Sequence, residues 1–190
     1  MDKKINFLHT CREAAAEAEK LFGMNARIIL AQGALESGWG TSMLATEHHN
    51  FFGLMGYGAS NAYWHGQRAT FETAYGTHHF RHYEATHLSF LDFARLIRTA
   101  YPAAANVSRK PNAYASEIAY SRYISEVNGD NRAAYRKMLC TIAASLQRLV
   151  EINEAKWYNN LFAPTTVGRQ ACKQLIHQPI NTPSVCQHSK

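Results

Sequence analysis

The stretch Arg27–Ser42, RIILAQGALESGWGTS, carries a single negative charge, Glu36, at the end of an otherwise uncharged run that begins after Arg27. Placed on a helix at about 100° per residue, its apolar side chains cover nearly every side, and Gln32 and Glu36 share one narrow stripe. A helix of this kind is expected to be buried on most sides. Desolvation and the negative end of the helix dipole would both favour the protonated form of Glu36. A carboxyl group held in that state is suited to general acid catalysis.

The segment Ser37–Gly40 follows this carboxylate directly. Its two glycines would let the backbone approach a ligand, and Trp39 offers a flat apolar face of the kind that stacks on a sugar ring. We therefore interpret the segment as the floor of a carbohydrate cleft. The alternative is a glutamate in a last helical turn that simply reaches solvent or an arginine, since perturbed carboxylates are uncommon.

Apolar periodicity and turn signals predict a mainly helical α+β domain with one small β-hairpin lobe. The predicted elements are a helix over 5–22 that stops at Gly23, a second helix capped by Asn25 and ended by Gly38 and Gly40, a loop over 53–66, a hairpin over 67–83 with a turn at Tyr75-Gly76, and helices over 89–101, 112–119 and 130–153. The side of the last helix predicted to be buried comprises Met138, Leu139, Ile142, Ala143, Leu146, Leu149 and Val150.

The composition is that of an ordinary globular chain, with 190 residues of which 46% are hydrophobic. The net charge of +6 suits an anionic polymer or surface, such as nucleic acid, a membrane or a bacterial cell wall. The basic residues are scattered along the sequence and form no block of five or six, which disfavours a nucleic-acid partner. The sequence has no run of about 18 apolar residues, so membrane insertion is not expected.

Apolar periodicity is lost after Lys156, which predicts a domain over 1–156 and a C-terminal extension over 157–190. The extension holds three of the five prolines. Cys11 and Cys140 fall in predicted helices and are expected to be buried. Cys172 and Cys186 could form a bridge in an oxidising compartment. The chain has no CxxC pair, and adjacent histidines at 48–49 and 78–79 do not have helical ligand spacing, so a metal site is disfavoured.

Leu30–Ser42, LAQGALESGWGTS, followed by Asn50–Gly53, NFFG, resembles the glucosaminidase domain of glycoside hydrolase family 73. Further matching segments are Thr70-Phe71-Glu72, Phe80-Arg81-x-Tyr83 with Ser89 and Asp92, and Tyr123-Ile124-Ser125 with Tyr135, so that the likeness spans roughly residues 10–150. The resemblance implies a lysozyme-like fold and hydrolysis of the β-1,4 bond after N-acetylglucosamine in peptidoglycan. It implies no cofactor.

The same resemblance implies roles for individual residues. Glu36 corresponds to the general acid, Glu72 to a second carboxylate on the β lobe, and Tyr123 to an active-site tyrosine. The residues expected to bind substrate are Gln32, Trp39, Asn50, Phe52, Gly53 and Tyr83. From the residues alone, a solvated carboxylate on a strand is an equally good interpretation of Glu72. Without the resemblance, Tyr123 would be interpreted as a core residue. The substrate's own N-acetyl group is a further candidate nucleophile. The Asp92–Arg95 pair is expected to be a solvated helix pair.

We interpret the sequence as an endo-β-N-acetylglucosaminidase acting on peptidoglycan. The alternatives are a muramidase on the same fold, a phage endolysin, or a non-catalytic glycan-binding module. The first 12 residues lack the apolar stretch of a signal peptide. We therefore expect a protein made in the cytoplasm that acts in the periplasm or cell wall of a target bacterium. A toxin carried there by a specialised machine such as type VI secretion would need an immunity protein to block its cleft.

Overall fold

The computed structural model describes residues 2–73, 76–125 and 131–161. Its elements are α1 (Lys3–Phe22), α2 (Ala26–Glu36), α3 (Met43–His48), β1 (Arg68–Thr73), β2 (Gly76–Arg81), α4 (Thr86–Ala100), α5 (Pro102–Asn106), α6 (Pro111–Ala119) and α7 (Arg132–Leu161). One compact unit comprises residues 1–150 and a second comprises 151–190. Within the described part, none of the helices combines the length and apolarity needed to span a membrane. The predicted mainly helical α+β class is confirmed.

Helix α2 lies in the core of the first unit, as its apolar pattern predicts. Every residue from Ile28 to Ala34 is buried, and α1 packs against both α2 and α4. Gly33 lets aromatic rings approach the helix, because a Cβ atom there would lie 3.3 Å from the Phe52 ring and 3.5 Å from the Phe90 ring. Close packing of this kind leaves no room for a larger side chain without displacement of its neighbours.

Helix α1 ends at Gly23, with φ +66°, as predicted, and the junction with α2 follows directly. Asn25 occupies the predicted N-cap position of α2, but its side chain makes no capping hydrogen bond. Glu19 supplies the cap instead, because its Oε2 accepts a hydrogen bond from the Ala26 amide at 2.9 Å. A carboxylate also suits the positive end of the helix dipole.

The end of α2 at Glu36 is made by a left-handed turn. Gly38, Trp39 and Gly40 have φ of 59°, 67° and 75°, a conformation that only glycine adopts without a steric penalty. Ser37 holds the turn, since its Oγ donates to the Gly33 carbonyl at 2.5 Å and accepts from the Gly40 amide at 2.7 Å. The glycines around Trp39 therefore terminate a core helix immediately after its carboxylate.

The β lobe is a two-stranded antiparallel hairpin in which Arg68 pairs with Arg81 and Thr73 with Gly76. The predicted turn at Tyr75-Gly76 falls partly outside the described residues, which omit 74 and 75. The segment 53–66 forms a loop, as predicted. An isolated bridge between Met55 and Phe80 joins this loop to strand β2. The hairpin and this loop therefore form one small lobe.

Asp92 joins the β lobe to helix α4, and the expectation that it forms a solvated pair is wrong. Its exposed fraction is 0%. One oxygen accepts from Asn61 Nδ2 at 3.0 Å and Arg95 Nε at 2.9 Å, and the other accepts from Tyr83 Oη at 2.8 Å and from Arg81. Two guanidinium groups offset the charge, and the hydrogen bonds replace water, which makes burial of this carboxylate tolerable.

Helix α7 presents a narrower buried side than its sequence predicts. Leu139, Ala143 and Leu146 are buried as expected, but Met138 is 49% exposed and Val150 is 38% exposed. The prediction was wrong at these two positions because only a narrow arc of the helix meets the core, and residues on its flanks face outward. Ile142 and Leu149 are partly buried against the core.

The remaining predictions concern the cysteines and the C-terminal extension. Cys11 is buried, as predicted, and Cys140 is partly buried; both are free thiols. Burial raises the pKa of Cys11 to about 12, which makes it an unreactive small hydrophobe. Cys172, Cys186 and the remainder of the extension after residue 161 lie outside the described residues.

Replacing Asp92 with asparagine tests the junction between α4 and the β lobe. The variant keeps the shape but leaves two partly buried guanidinium groups without their counter-charge, so we expect a loss of about 3 kcal/mol or more in the free energy of unfolding. Urea denaturation measures it. The control is Glu13→Gln, which removes an exposed 3.9 Å ion pair with Arg12 and is expected to cost less than about 0.5 kcal/mol. Equal losses in the two variants would show that Asp92 does not hold the lobe.

Candidate active site

A cleft with a volume of about 360 Å³ opens beside the C-terminal end of α2. This volume is within the range of small-molecule sites, roughly 300–1,000 Å³. Its walls come from the end of α2, the loop after α3, the segment after α6 and the start of α7. The lining residues are Glu36, Phe52, Gly53, Tyr123, Ile124, Asn131, Ala134, Tyr135 and Met138.

Glu36 lines this cleft and its side chain is exposed, so the prediction that burial desolvates it is wrong. The continuous buried run of α2 ends at Ala34, and the helix itself ends at Glu36, just before the left-handed turn. The Tyr135 hydroxyl donates a hydrogen bond to Glu36 Oε1 at 2.7 Å. The carboxylate is therefore accessible to a ligand and held in place by a residue from α7.

Three tyrosines surround the inner side of Glu36. Tyr135 and Tyr123 are half-buried on the cleft wall, and Tyr114 is buried behind them. The Tyr114 hydroxyl donates to Gln32 Oε1 at 2.7 Å. Gln32, one turn before Glu36, thus holds Tyr114 from beneath the cleft rather than lining its surface.

The environment keeps these phenols neutral. Burial raises the pKa of Tyr114, Tyr123 and Tyr135 above the usual value of 10, and the negative charge of Glu36 raises each of them further. A neutral phenol remains a hydrogen-bond donor. Tyr135 can therefore donate to Oε1 of Glu36 throughout the neutral pH range in either protonation state of that carboxyl group, and Tyr123 can donate to a bound group or water.

The structure brings four of the predicted site residues together in the cleft, namely Glu36, Phe52, Gly53 and Tyr123. Phe52 stacks on Phe93, with ring centroids 3.9 Å apart and planes 5° apart. Gly53 has φ +60° and nothing within 4 Å of its Cβ position. This part of the wall is consequently rigid at Phe52 and open to a ligand at Gly53.

Trp39, Asn50 and Tyr83 are not brought to the cleft. The Trp39 ring packs edge-on against Phe7 at 5.8 Å, with the Lys4 ammonium 5.2 Å from its centroid. The buried Asn50 side chain bonds the backbone of the loop and of β2, and the Tyr83 hydroxyl bonds Asp92. Each of the three supports the fold, and only a tertiary structure could show on which side it lies.

Glu72 is also outside the cleft lining. It is an exposed residue of β1, and its carboxylate accepts from Thr77 Oγ1 at 2.9 and 3.0 Å across the hairpin. The catalytic roles of Glu72 and Tyr123 both remain predictions; of the two, Tyr123 lines the cleft.

Five cleft residues had no site role assigned from sequence: Ile124, Asn131, Ala134, Tyr135 and Met138. Tyr135 forms part of the resemblance, and that match is the signal that could have found it. Met138 was predicted to be buried, but it lines the open cleft.

The histidines that the structure describes do not assemble a metal site. His48 Nδ1 and His82 Nδ1 lie 3.1 Å apart, and His79 Nδ1 lies 3.0 Å from Thr70 Oγ1. Among the described residues, no group of three or more His, Cys, Asp or Glu could hold a metal ion.

Comparison with known proteins agrees with this geometry. The glucosaminidase family, described as mannosyl-glycoprotein endo-beta-N-acetylglucosaminidase, matches residues 12–148, well over half of the chain. Two Streptococcus pneumoniae proteins, each named provisionally as an endo-beta-N-acetylglucosaminidase, are 49% identical to the chain over 41 residues. The matched region is 22% of this chain, and the chain spans about 6% of the length of those relatives.

Solved structures share the fold over most of the chain. The glycoside hydrolase domain of FlgJ from Salmonella typhimurium has a TM-score of 0.64 and 27% identity, covering 85% of this chain and 98% of its own. A peptidoglycan hydrolase from Sphingomonas sp. A1 has a TM-score of 0.59 and 26% identity, covering 77% and 93%. A type VI secretion system effector–immunity complex from Pseudomonas protegens, at 19% identity and a TM-score of 0.55 over 76% and 93%, shares the fold alone.

Replacing Tyr135 with phenylalanine tests whether this residue positions Glu36. The variant keeps the ring but loses the hydrogen bond to the carboxylate, and bonds to charged groups contribute about 1.5–3 kcal/mol. We expect kcat for glycan cleavage to fall at least about tenfold, with little change in KM. Tyr120→Phe is the control, because Tyr120 is 58% exposed. An unchanged kcat in Tyr135→Phe would contradict the positioning role.

Alkaline pH should destabilise the fold. Tyr83, Tyr114, Tyr123 and Tyr135 all have a pKa above the usual value of 10 in the folded state. The unfolded chain loses these protons first, so stability is complete below pH 10 and falls as pH rises beyond it, by about 1.4 kcal/mol per pH unit for each tyrosine. Urea unfolding between pH 8 and 11 measures the slope. Tyr114→Phe should reduce it, and a slope equal to that of the parent would contradict this origin.

Proposed function

This chain belongs to the glucosaminidase family of glycoside hydrolases, and we propose that it is an endo-β-N-acetylglucosaminidase that cleaves the glycan backbone of peptidoglycan. The observation that carries the proposal is the position of Glu36. It lies at the end of a core helix, in an open cleft, with one oxygen bonded to Tyr135. A carboxyl group fixed in this way, and reachable by a polymer, is what acid-catalysed cleavage of a glycosidic bond requires.

In the proposed reaction Glu36 protonates the glycosidic oxygen as the bond to the anomeric carbon breaks. Positive charge then develops on the sugar in an oxocarbenium-like transition state. Tyr135 holds the carboxylate in one orientation, so little reorganisation is needed when the proton leaves. Glu36 is exposed in the unliganded cleft, and a bound glycan would itself exclude water from it.

The second half of the reaction needs a nucleophile on the other face of the sugar. Tyr123 lines the cleft and can hold a water molecule there, and the N-acetyl group of the substrate is a second candidate. Glu72 would reach the reaction only if the hairpin brought it to the cleft. The residues of the described cleft therefore favour water or the N-acetyl group over direct attack by Glu72.

The bond that is cut separates this proposal from a muramidase. Cleavage after N-acetylglucosamine leaves that sugar at the new reducing end, whereas a muramidase leaves N-acetylmuramic acid. A glycan-binding module would bind wall and release no product. The open cleft with a tyrosine-held carboxylate favours catalysis over binding alone.

The proposed place of action follows from the substrate. Peptidoglycan lies outside the cytoplasmic membrane, so the domain would work in the periplasm or cell wall. A role as an antibacterial toxin is consistent with that location, and an immunity protein would then have to cover the cleft around Glu36.

Replacing Glu36 with glutamine should lower the rate of wall cleavage by at least about 10²-fold, because general acid catalysis contributes about 10²–10⁴. The fold should be retained, since the side chain is exposed. Glu47→Gln is the control, because Glu47 is also exposed, lies on α3 and is absent from the cleft lining. Release of reducing ends from purified peptidoglycan measures the rate, and mass spectrometry identifies the new terminal sugar.

Undiminished lysis by Glu36→Gln would overturn the acid assignment. A terminal N-acetylmuramic acid would instead replace the proposed activity with that of a muramidase, and binding without any release would favour the binding module.

A further inference from the structure

Helix α7 carries a second surface that continues from the cleft. It bounds a groove of about 380 Å³ and consists of Ala134, Lys137, Met138, Thr141 and Ile142, which we call the α7 face. Ala134 and Met138 line the cleft as well. A ligand on the α7 face would therefore lie directly beside whatever occupies the cleft.

The α7 face has a mixed chemical character. Its members recur at intervals of three and four residues, so they form one stripe about 12 Å long. Met138 is 49% exposed, and methionine adapts to irregular apolar surfaces. Lys137 adds an exposed ammonium group to the stripe. An apolar surface with one cation matches a ligand that has both aliphatic and anionic groups.

The charge of α7 from Arg132 to Val150 points the same way. Between Arg132 and Val150 the sequence of α7 contains four basic residues and no acidic one. Arg136 and Lys137 are both exposed. An anionic ligand would be attracted to this side of the cleft over a distance of about 8–10 Å at physiological salt.

We propose that the α7 face is a subsite for the acidic peptide that alternate sugars of peptidoglycan carry. The inference rests on the proposed function, because it assigns a place to one part of that substrate. The sugar rings are uncharged and rich in hydroxyl groups. They therefore match neither the apolar side chain of Met138 nor the positive charge of Lys137. The attached peptide has small aliphatic side chains and free carboxylates, and it branches from the glycan beside the bond to be cut.

The subsite contributes to binding rather than to chemistry. The α7 face beyond the cleft holds neither Glu36 nor Tyr123, so its contacts are the same before and during bond breaking. Such uniform binding changes KM and leaves kcat unaltered. The peptide would thereby distinguish peptidoglycan from an unsubstituted glycan with the same bond.

The test compares soluble uncrosslinked peptidoglycan strands with the same strands stripped of peptide by an amidase, which leaves on each substituted sugar a single carboxylate next to the ring in place of the peptide. Lys137→Glu should raise KM about fivefold or more on the peptide-bearing strands, and change it less than about twofold on the stripped ones. Thr141→Lys, which adds a cation one turn away on the same stripe, should lower KM on the peptide-bearing strands alone. Lys20→Glu makes the same charge change on α1, outside both the cleft and the α7 face, and should leave both values close to the parent.

Three outcomes would overturn the inference. Equal changes of KM on the two substrates, or none on either, would remove the peptide subsite while leaving the proposed function intact. Self-association of the parent that Lys137→Glu abolishes would make the α7 face an interface between two copies of the chain. Failure of the parent to cleave either substrate would remove the proposed function, and the subsite with it.

Discussion

The site depends on one constraint: helix α2 has to stay buried along its length and yet end in a carboxylate that a substrate can reach. The left-handed turn at Gly38, Trp39 and Gly40 meets both demands. A non-glycine residue in this conformation costs about 1–2 kcal/mol. The packing of the Trp39 ring against Phe7 and Lys4, together with the Ser37 hydrogen bonds, offsets that cost.

The opposite wall of the cleft comes from elements far apart in sequence. Tyr135 on α7 reaches Glu36 across 99 residues of chain, and Tyr114 on α6 donates to Gln32 beneath it. The loop that carries Phe52 is held in turn by Asn50, whose side chain bonds the backbone of Leu54 and Arg81. A buried polar network of this kind fixes a single geometry because each unmade hydrogen bond would be costly. The cleft is therefore preorganised before a ligand arrives.

The sequence predicts the helical core, the hairpin and the end of α2, because each has a local signal: an apolar pattern, alternation, or a glycine. Glu36 could likewise be found, since it is the one charge after an apolar run. The errors concern the direction in which a side chain faces. Trp39 was expected to face a sugar, Asp92 to face solvent and Met138 to face the core, and the structure places each of them elsewhere. Such orientations depend on which distant elements meet, and local sequence does not contain that information.

The most direct test of the account is a crystal structure of the Glu36→Gln variant with a bound glycan of alternating N-acetylglucosamine and N-acetylmuramic acid. The account predicts that the glycan lies between the end of α2 and the start of α7, with the oxygen of the bond after N-acetylglucosamine within about 2.6–3.2 Å of the side chain at position 36. A glycan bound on another face, or one whose linking oxygens all lie beyond the reach of that side chain, would contradict it.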